Sequence, residues 1–378
     1  MGNGVSVKTF DRYLLRLFIK VLLSCFLSMA GLYIVIDAFS NLDEFLGYGD
    51  VAVVAKYYSA RLPWFFDRAS GLLALLAAMF AVTWLQKTNE FTALMAAGIT
   101  TRRIIRPLLV SAVVVAGLAA ANRELLIPAV RDKLVRNAQN WLGDTPRSVD
   151  SVRDNRTDIL IGGRAAYMNE KRIEEARFTL DRRLGDFGRT LEAANAYYSA
   201  PEGNRPGGYL LEDVSEPQQI AEMASVIIEG QPVILTPLDT DLQSNQCFVV
   251  SDVSFADLVG GQRWREYAST AELVRGLRNP SLDFGLQTRV SMHSRFVQPF
   301  LDVSLFMLGL PLVLTRQNRN AFVAVGLGVV VVIAYFGILF CCQGMGASGF
   351  LLTPAQAAWC PLIILGPAAA ALSQPLWE

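Results

Sequence analysis

Three groups of residues have types and spacing suited to chemistry or recognition. Gly346-Ala347-Ser348-Gly349 is a Gly-x-Ser-Gly pattern, and a serine nucleophile needs a base within hydrogen-bond reach. His293 is the single histidine and therefore the only imidazole for that role; the competing reading is a turn of small residues. Asp302 is a carboxylate inside the otherwise uncharged run Phe296 to Thr315. It either faces an interior or wet cavity, where it would bind an ion or a proton, or lies near enough to the run's end to reach water. The third group, Lys87 to Thr100, is suited to recognition. Asn89 is placed to cap a short helix, Phe91, Leu94 and Met95 share one side, and Gly98 is placed to end it. Small Ala96, Ala97 and Gly98 would let another protein approach closely, whereas an interfacial helix lying on lipid fits the same pattern.

What is missing narrows the chemistry further. None of the six lysines follows a glycine, so there is no P-loop, and uphill work would draw on a partner or an ion gradient. Four of the five cysteines (Cys25, Cys341, Cys342, Cys360) lie in apolar runs and only Cys247 lies in the polar middle. Cysteine therefore offers neither a disulfide framework nor a metal cage.

The elements that hold these residues are set by hydropathy. Of 378 residues 52% are hydrophobic and 18% charged, and no Asp, Glu, Lys or Arg occurs from Asn320 to Trp377. A soluble domain could not bury that stretch, so the chain is an integral membrane protein. Basic and acidic residues balance at 34 each, which argues against nucleic acid as a partner. Uncharged runs at Val21 to Ile36, Ala69 to Gln86 and Pro107 to Asn122 predict three spans across roughly 30 Å of hydrocarbon. Phe296 to Thr315, Ala321 to Cys342 and Pro354 to Leu372 predict three more. The first apolar stretch runs into Asp37 and Asn41 without a small-residue cleavage pattern and reads as a retained span. Asp67 and Arg68, before the second run, read as an interfacial pair.

Short loops orient the bundle. Lys8, Arg12 and Arg16 precede span one, Lys87, Arg102, Arg103 and Arg106 separate spans two and three, and Arg316 and Arg319 separate four and five; the opposite loops offer only Lys56. Both termini are therefore expected in the cytoplasm, and the segment between spans three and four in the periplasm. That segment predicts strands at Asp158 to Met168, Ala176 to Arg182, Thr190 to Ser199, Gly208 to Val214, Pro232 to Leu235 and Cys247 to Val253. A β-sandwich or jelly roll is the expected result, with helical connectors at Arg123 to Leu142 and Tyr267 to Leu277. The expected layout is residues 1–122 for the first three spans, with the short amphipathic segment at 88–100, then 123–293 for the periplasmic domain and 294–378 for the last three spans.

Six spans with Gly-x-Ser-Gly invite comparison with rhomboid intramembrane proteases, but His293 precedes Ser348, the reverse of the rhomboid order. A far more extensive resemblance covers nearly the whole chain. Asp11-Arg12-Tyr13, Ile36 to Phe45, the Asn89-Glu90 to Ala97-Gly98 loop, Arg295 with Pro299, and Trp359 with Pro361 resemble the LptF/LptG (YjgP/YjgQ) permeases in order and spacing. That resemblance implies a polytopic α-helical inner-membrane protein with three plus three transmembrane helices and an inserted periplasmic β-jelly-roll-like domain. It also implies the permease role in an ABC transporter that extracts lipopolysaccharide or a related lipid. In such a transporter two permeases pair, a cytoplasmic ABC ATPase dimer drives them, and a periplasmic bridge of LptC/LptA-like jelly rolls receives the lipid. Glu90, Phe91, Leu94, Ala96, Ala97 and Gly98 become the coupling helix that docks on the ATPase.

The resemblance makes Phe26, Met29 and Tyr33 of span one, with Val330, Ala334 and Ile338 of span five, candidates for lining a lipid cavity; ordinary packing or lipid contact is the other reading of each. One departure stands out. Some family members carry lysines around the outer end of span one, whereas this chain has Asp37, Asp43 and Glu44 and no lysine before Lys56. Either the paired permease supplies positive charge for the lipid phosphates, or the lipid is less anionic. Asp302 leaves an ion-coupled transporter as a rival from another class.

Overall fold

A computed structural model describes residues 3–141, 146–149, 151–203, 205–228, 230–314 and 321–374. These form two compact units, one of residues 1–130 with 285–378 and the other of residues 131–284. Helical segments run through the expected boundaries 122/123 and 293/294.

The first unit is helical: α1 (Asn3–Ser40), α2 (Leu42–Tyr48), α3 (Val51–Lys87), α4 (Glu90–Ala96) and α5 (Thr101–Ala121). A π-turn, Asn122–Leu126, leads into α6 (Ile127–Leu134). Among the described residues six helices are long and apolar enough to cross a membrane: Thr9–Ser40, Val51–Lys87, Thr101–Leu134, Gly285–Leu314, Gly326–Ser348 and Pro354–Leu372. The last three lie in α9 (Gly285–Leu314), α10 (Ala321–Ser348) and α11 (Pro354–Leu372). Thr315, Arg316 and Arg319 lie outside the described residues.

The second span starts at Val51, well before the expected Ala69. Charged residues break the apolar run there, but the helix continues because its polar groups find partners. Asp50 caps it by accepting from the Ala52 amide at 2.7 Å, after Gly49 turns the chain at φ 63°. Tyr58 donates to Asp37 Oδ2 at 3.0 Å. Asp67 does not pair with Arg68 as expected; it accepts from Arg123 Nε at 2.9 Å, both side chains largely buried. The π-turn thus ties α5 to its neighbours through successive residues. Asn122 Nδ2 donates to the Pro63 carbonyl at 2.7 Å, Arg123 holds Asp67, and Glu124 lies 3.9 Å from Arg295 of α9.

Small residues let the helices approach. Ala74, Ala77, Ala78 and Ala81 of α3 are buried with Leu14 and Phe18 of α1, Ile104 and Leu108 of α5, and Phe306 and Leu310 of α9. A methyl at Gly309 would stand 2.5 Å from Leu75 Cδ1, closer than side chains tolerate, so glycine there permits the α3–α9 contact. A second core joins α9 to α10 and α11 through Val297, Leu301, Leu305, Tyr335, Leu339 and Leu365.

The second unit is an antiparallel sheet with flanking helices. Its strands are β1 (Arg147–Ser148), β2 (Val152–Asp154), β3 (Ile159–Tyr167), β4 (Arg172–Thr179), β5 (Thr190–Ser199), β6 (Gly208–Glu216), β7 (Val226–Ile228), β8 (Gln231–Leu235) and β9 (Cys247–Val250). The ladder runs β1-β3-β4-β5-β6-β9-β8-β7, with β2 also on β3. β5 keeps the expected bounds, whereas β4 starts at Arg172 instead of Ala176 and the chain at Arg182 forms a 3-10 turn. β1, β2 and β7, each of two or three residues, were not expected. Alternating residues of β3 to β9, among them Ile161, Phe178, Leu191, Tyr209, Ile234 and Val249, share one core. Cys247 is fully buried in it, and burial pushes its thiol up to about 12.

Two helices follow the sheet, α7 (Phe255–Tyr267) and α8 (Thr270–Arg278), the latter held by a reciprocal cap between Ser269 and Glu272. The expected connector from Arg123 ends its α-helical part at Leu134, and Leu142 lies outside the described residues. Arg131 bonds Glu272 at 3.0 Å and stacks over Trp264 at 4.1 Å. Burial pushes the Glu272 carboxyl up, but the Ser269 amide, the Arg131 charge and the Ser269 hydroxyl outweigh it and hold the group below its usual range. A depressed carboxyl contributes stability above its unfolded pKa and loses it as pH falls through the folded value. Acidification is therefore expected to loosen α8 in the wild type more than in Glu272→Gln. Amide exchange of residues 270–278 as a function of pH would measure this, and equal acid sensitivity in the two proteins would refute it.

Candidate functional site

The loop between spans two and three folds into α4 in the way its sequence suggests, with two corrections. Asn89 does not cap the helix through its side chain; it sits in the left-handed region at φ 59° and makes the turn out of α3. Asn tolerates that conformation better than most residues. Gly98, at φ 78°, turns the chain on toward α5. Phe91 is buried in the core with Leu14, Leu85 and Ile104, and Leu94 and Ile99 pack against the same core. Met95, expected beside them, instead faces outward, 42% exposed.

The result is a two-sided element. Its inner face is anchored, and its outer face presents Met95, Ala96, Ala97 and Gly98 without large side chains beyond the methionine. Glu90 stands at the first turn, where a carboxylate complements the helix N-terminus, and accepts from the Tyr13 hydroxyl at 3.4 Å. Close by, Arg103 donates to Asp11 Oδ2 at 2.7 Å. α1 thereby fixes both sides of the loop.

The lipid-lining candidates divide. Phe26 packs edge-on to Phe66 at 5.8 Å, and Tyr33 stacks on Phe65 at 5.4 Å and meets Trp64 at 6.3 Å. These two side chains face α3 of the same chain. Met29 is half-buried. On α10, Val330 and Ala334 are exposed, whereas Ile338 packs against the core containing Tyr335 and Leu339. The aromatic partners Trp64, Phe65 and Phe66 were missed in the sequence because they lie on the charged side of the expected start of span two.

Asp302 is buried, 9% exposed. It accepts from Gln298 Nε2 at 2.8 Å, and a methyl at Gly71 would come within 2.6 Å of its Oδ1. It therefore faces α3 inside the bundle and does not reach for water. Ser348 donates to the Met345 carbonyl at 3.0 Å, and among the described residues it makes no hydrogen bond with His293. Gly346 packs on Ala357 of α11 and Gly349 turns at φ 68°. The tetrad closes α10 against α11, and the serine-protease reading has no support in this geometry.

Among the described residues, three helices long and apolar enough to cross a membrane on each side of an inserted antiparallel β domain in the chain order, with a short two-sided helix between the second and third, define a polytopic α-helical membrane protein. A family model described as lipopolysaccharide export system permease LptF/LptG matches residues 12–374, and the chain belongs to that family. It is accordingly a transporter permease of the lipopolysaccharide export type and a multi-pass inner-membrane protein. A search of the curated proteins gave no match.

Proposed function

We propose that the chain is one mechanical half of a glycolipid extractor, driven by a separate cytoplasmic ABC ATPase dimer and without an ATPase site of its own. α4 docks on that ATPase, with Glu90 meeting a basic residue and Ala96, Ala97 and Gly98 allowing close approach. A second LptF/LptG-type permease completes the cavity, and both termini lie in the cytoplasm. The single observation that carries this reading is the bare face of α4, exposed at Met95 to Gly98 while Phe91 is buried.

Closure of the ATPase would draw the coupling helices together and narrow the cavity between the permeases. Lipopolysaccharide or a related lipid would then pass outward to the periplasmic bridge, which joins the β domain edge to edge. Val330 and Ala334 are the candidates best placed to meet acyl chains, because nothing in this chain covers them among the described residues. Phe26 and Tyr33 shape span one instead, by holding it on α3.

Vesicles containing the chain, its paired permease and fluorescent lipopolysaccharide test the proposal. Release to a soluble periplasmic acceptor is expected only when the ATPase and ATP are both present. Equal release without the ATPase would overturn it.

A further inference from the structure

Two of the five cysteines meet where α10 packs on α11. All five are free thiols, and Cys342 shares a side-chain hydrogen bond with Cys360. Two features of the fold account for the meeting. The first is depth. Cys342 lies six residues before α10 ends at Ser348, and Cys360 lies six residues after α11 begins at Pro354. Along each helix both therefore stand about 9 Å from the connecting turn. The second is facing. A methyl at Gly346 would collide with the Ala357 side chain, so those two positions oppose each other. In an antiparallel pair, one turn inward from that contact leads back to Cys342 on α10 and on to Cys360 and Pro361 on α11. Cys342 is accordingly buried, 4% exposed, on the same seam as Tyr335, Leu339 and Gly346, and Cys360 is part-buried. The other cysteines are placed differently: Cys341 is exposed, Cys25 lies on α1 and Cys247 is sealed in the β core.

We propose that Cys342 and Cys360 are a redox-active pair whose oxidation to a disulfide clamps α10 to α11. A disulfide requires Cα atoms within about 7 Å, and the glycine contact one turn away lets the two backbones come near enough. In the reaction two S–H bonds break, one S–S bond forms, and two electrons and two protons pass to an acceptor. Both thiols lie within helices apolar enough to cross a membrane, where lipid screens them from water-soluble thiol reagents. The acceptor is therefore a lipid-soluble one of the quinone class, which leaves as the hydroquinone. An apolar setting disfavours the thiolates through which disulfides form and exchange, so the bond forms slowly and, once formed, persists. Its effect is mechanical. α10 also carries the exposed Val330 and Ala334, and in the oxidised chain any rearrangement of span five must carry span six with it. That coupling is independent of which lipid the permease moves.

The full chain in lipid nanodiscs tests this after prolonged treatment with diamide, a membrane-permeant acceptor of two electrons and two protons. The protein is then unfolded in detergent and its remaining thiols are labelled with a maleimide polymer. Wild type is expected to fall from five labels to three, to yield a peptide joining Cys342 to Cys360, and to regain all its labels after dithiothreitol. Cys342→Ala and Cys360→Ala should each lose one label by substitution and no more on oxidation, whereas Cys341→Ala should still lose two on oxidation. A full set of labels on oxidised wild type, or a bond mapped through any other cysteine, would overturn the proposal. The wild-type measurement needs no substituted chain and decides the matter even where a variant is not recovered folded.

Discussion

Glu90→Arg is expected to abolish recovery of the permease with its ATPase and, with it, ATP-driven glycolipid release. The substitution places a cation at a helix N-terminus, which disfavours it locally, and sets it against the basic residue proposed on the partner. Truncating one member of a buried interfacial charge pair costs about 2–5 kcal/mol, and reversal adds repulsion to that loss. Every 1.4 kcal/mol is about tenfold in affinity, so weakening by about two orders of magnitude or more is the expected result. Glu90→Gln should cost less, because it removes attraction without adding repulsion. The membrane fold should survive both changes, since Glu90 gives up only the long 3.4 Å contact with Tyr13 while Phe91 keeps α4 anchored. A binding isotherm between detergent-solubilised permease and ATPase measures the effect; unchanged affinity for Glu90→Arg would place the docking surface elsewhere.

Tyr209→Ala should produce the largest loss of stability in the β domain. The ring is fully buried, edge-on to Phe178 at 5.7 Å and tilted on Tyr198 at 5.4 Å. Its hydroxyl donates to the Val253 carbonyl at 3.0 Å, tying the middle of the sheet to the segment that leads into α7. Burial pushes this hydroxyl well above its ordinary range, so it remains a neutral donor at working pH. Large aromatic truncations in cores cost about 3–5 kcal/mol. Tyr209→Phe keeps the ring and should cost about 1 kcal/mol, the worth of a typical hydrogen bond. Hydrogen exchange of residues 159–250 in the full chain would show whether protection falls in that order; equal losses in the two variants would mean that the ring packing matters little.

The parts of this fold legible in the sequence were those decided by one local property. Long charge-free stretches can only cross a membrane or fill a very large core, so the six spans could be read directly. β5 kept its predicted bounds because Thr190 to Ser199 follows the turn-forming Gly185 to Gly188 region and precedes Pro201. Errors arose where a distant partner decides. Residues 51–68 are helical because Asp37 and Arg123 satisfy polar groups that made the run look like a loop. β1, β2 and β7 are too short to show alternation and exist through pairing with β3 and β8. Within the candidate site, the amphipathic character of α4 was visible, but the exposure of Met95 was not, because helical spacing places it on the same side as the buried Phe91 and only the surrounding helices decide which of the two is covered. The inward turn of Phe26 and Tyr33 depended on aromatic residues of α3 that no local pattern couples to them.

The wide turn at Asn122 to Leu126 has a consequence for the length of the chain at this point. A π-turn accommodates more residues per revolution than an α-helix, in effect one surplus residue held within a continuous rod. Removing one residue there would let regular spacing resume and would shift angular phase by about 100°. Asn122 and Arg123 would then lose registry with Pro63 and Asp67, leaving an acid stranded in an apolar layer. Relatives that are one residue shorter at this place should therefore also have replaced Asp67 with an uncharged side chain.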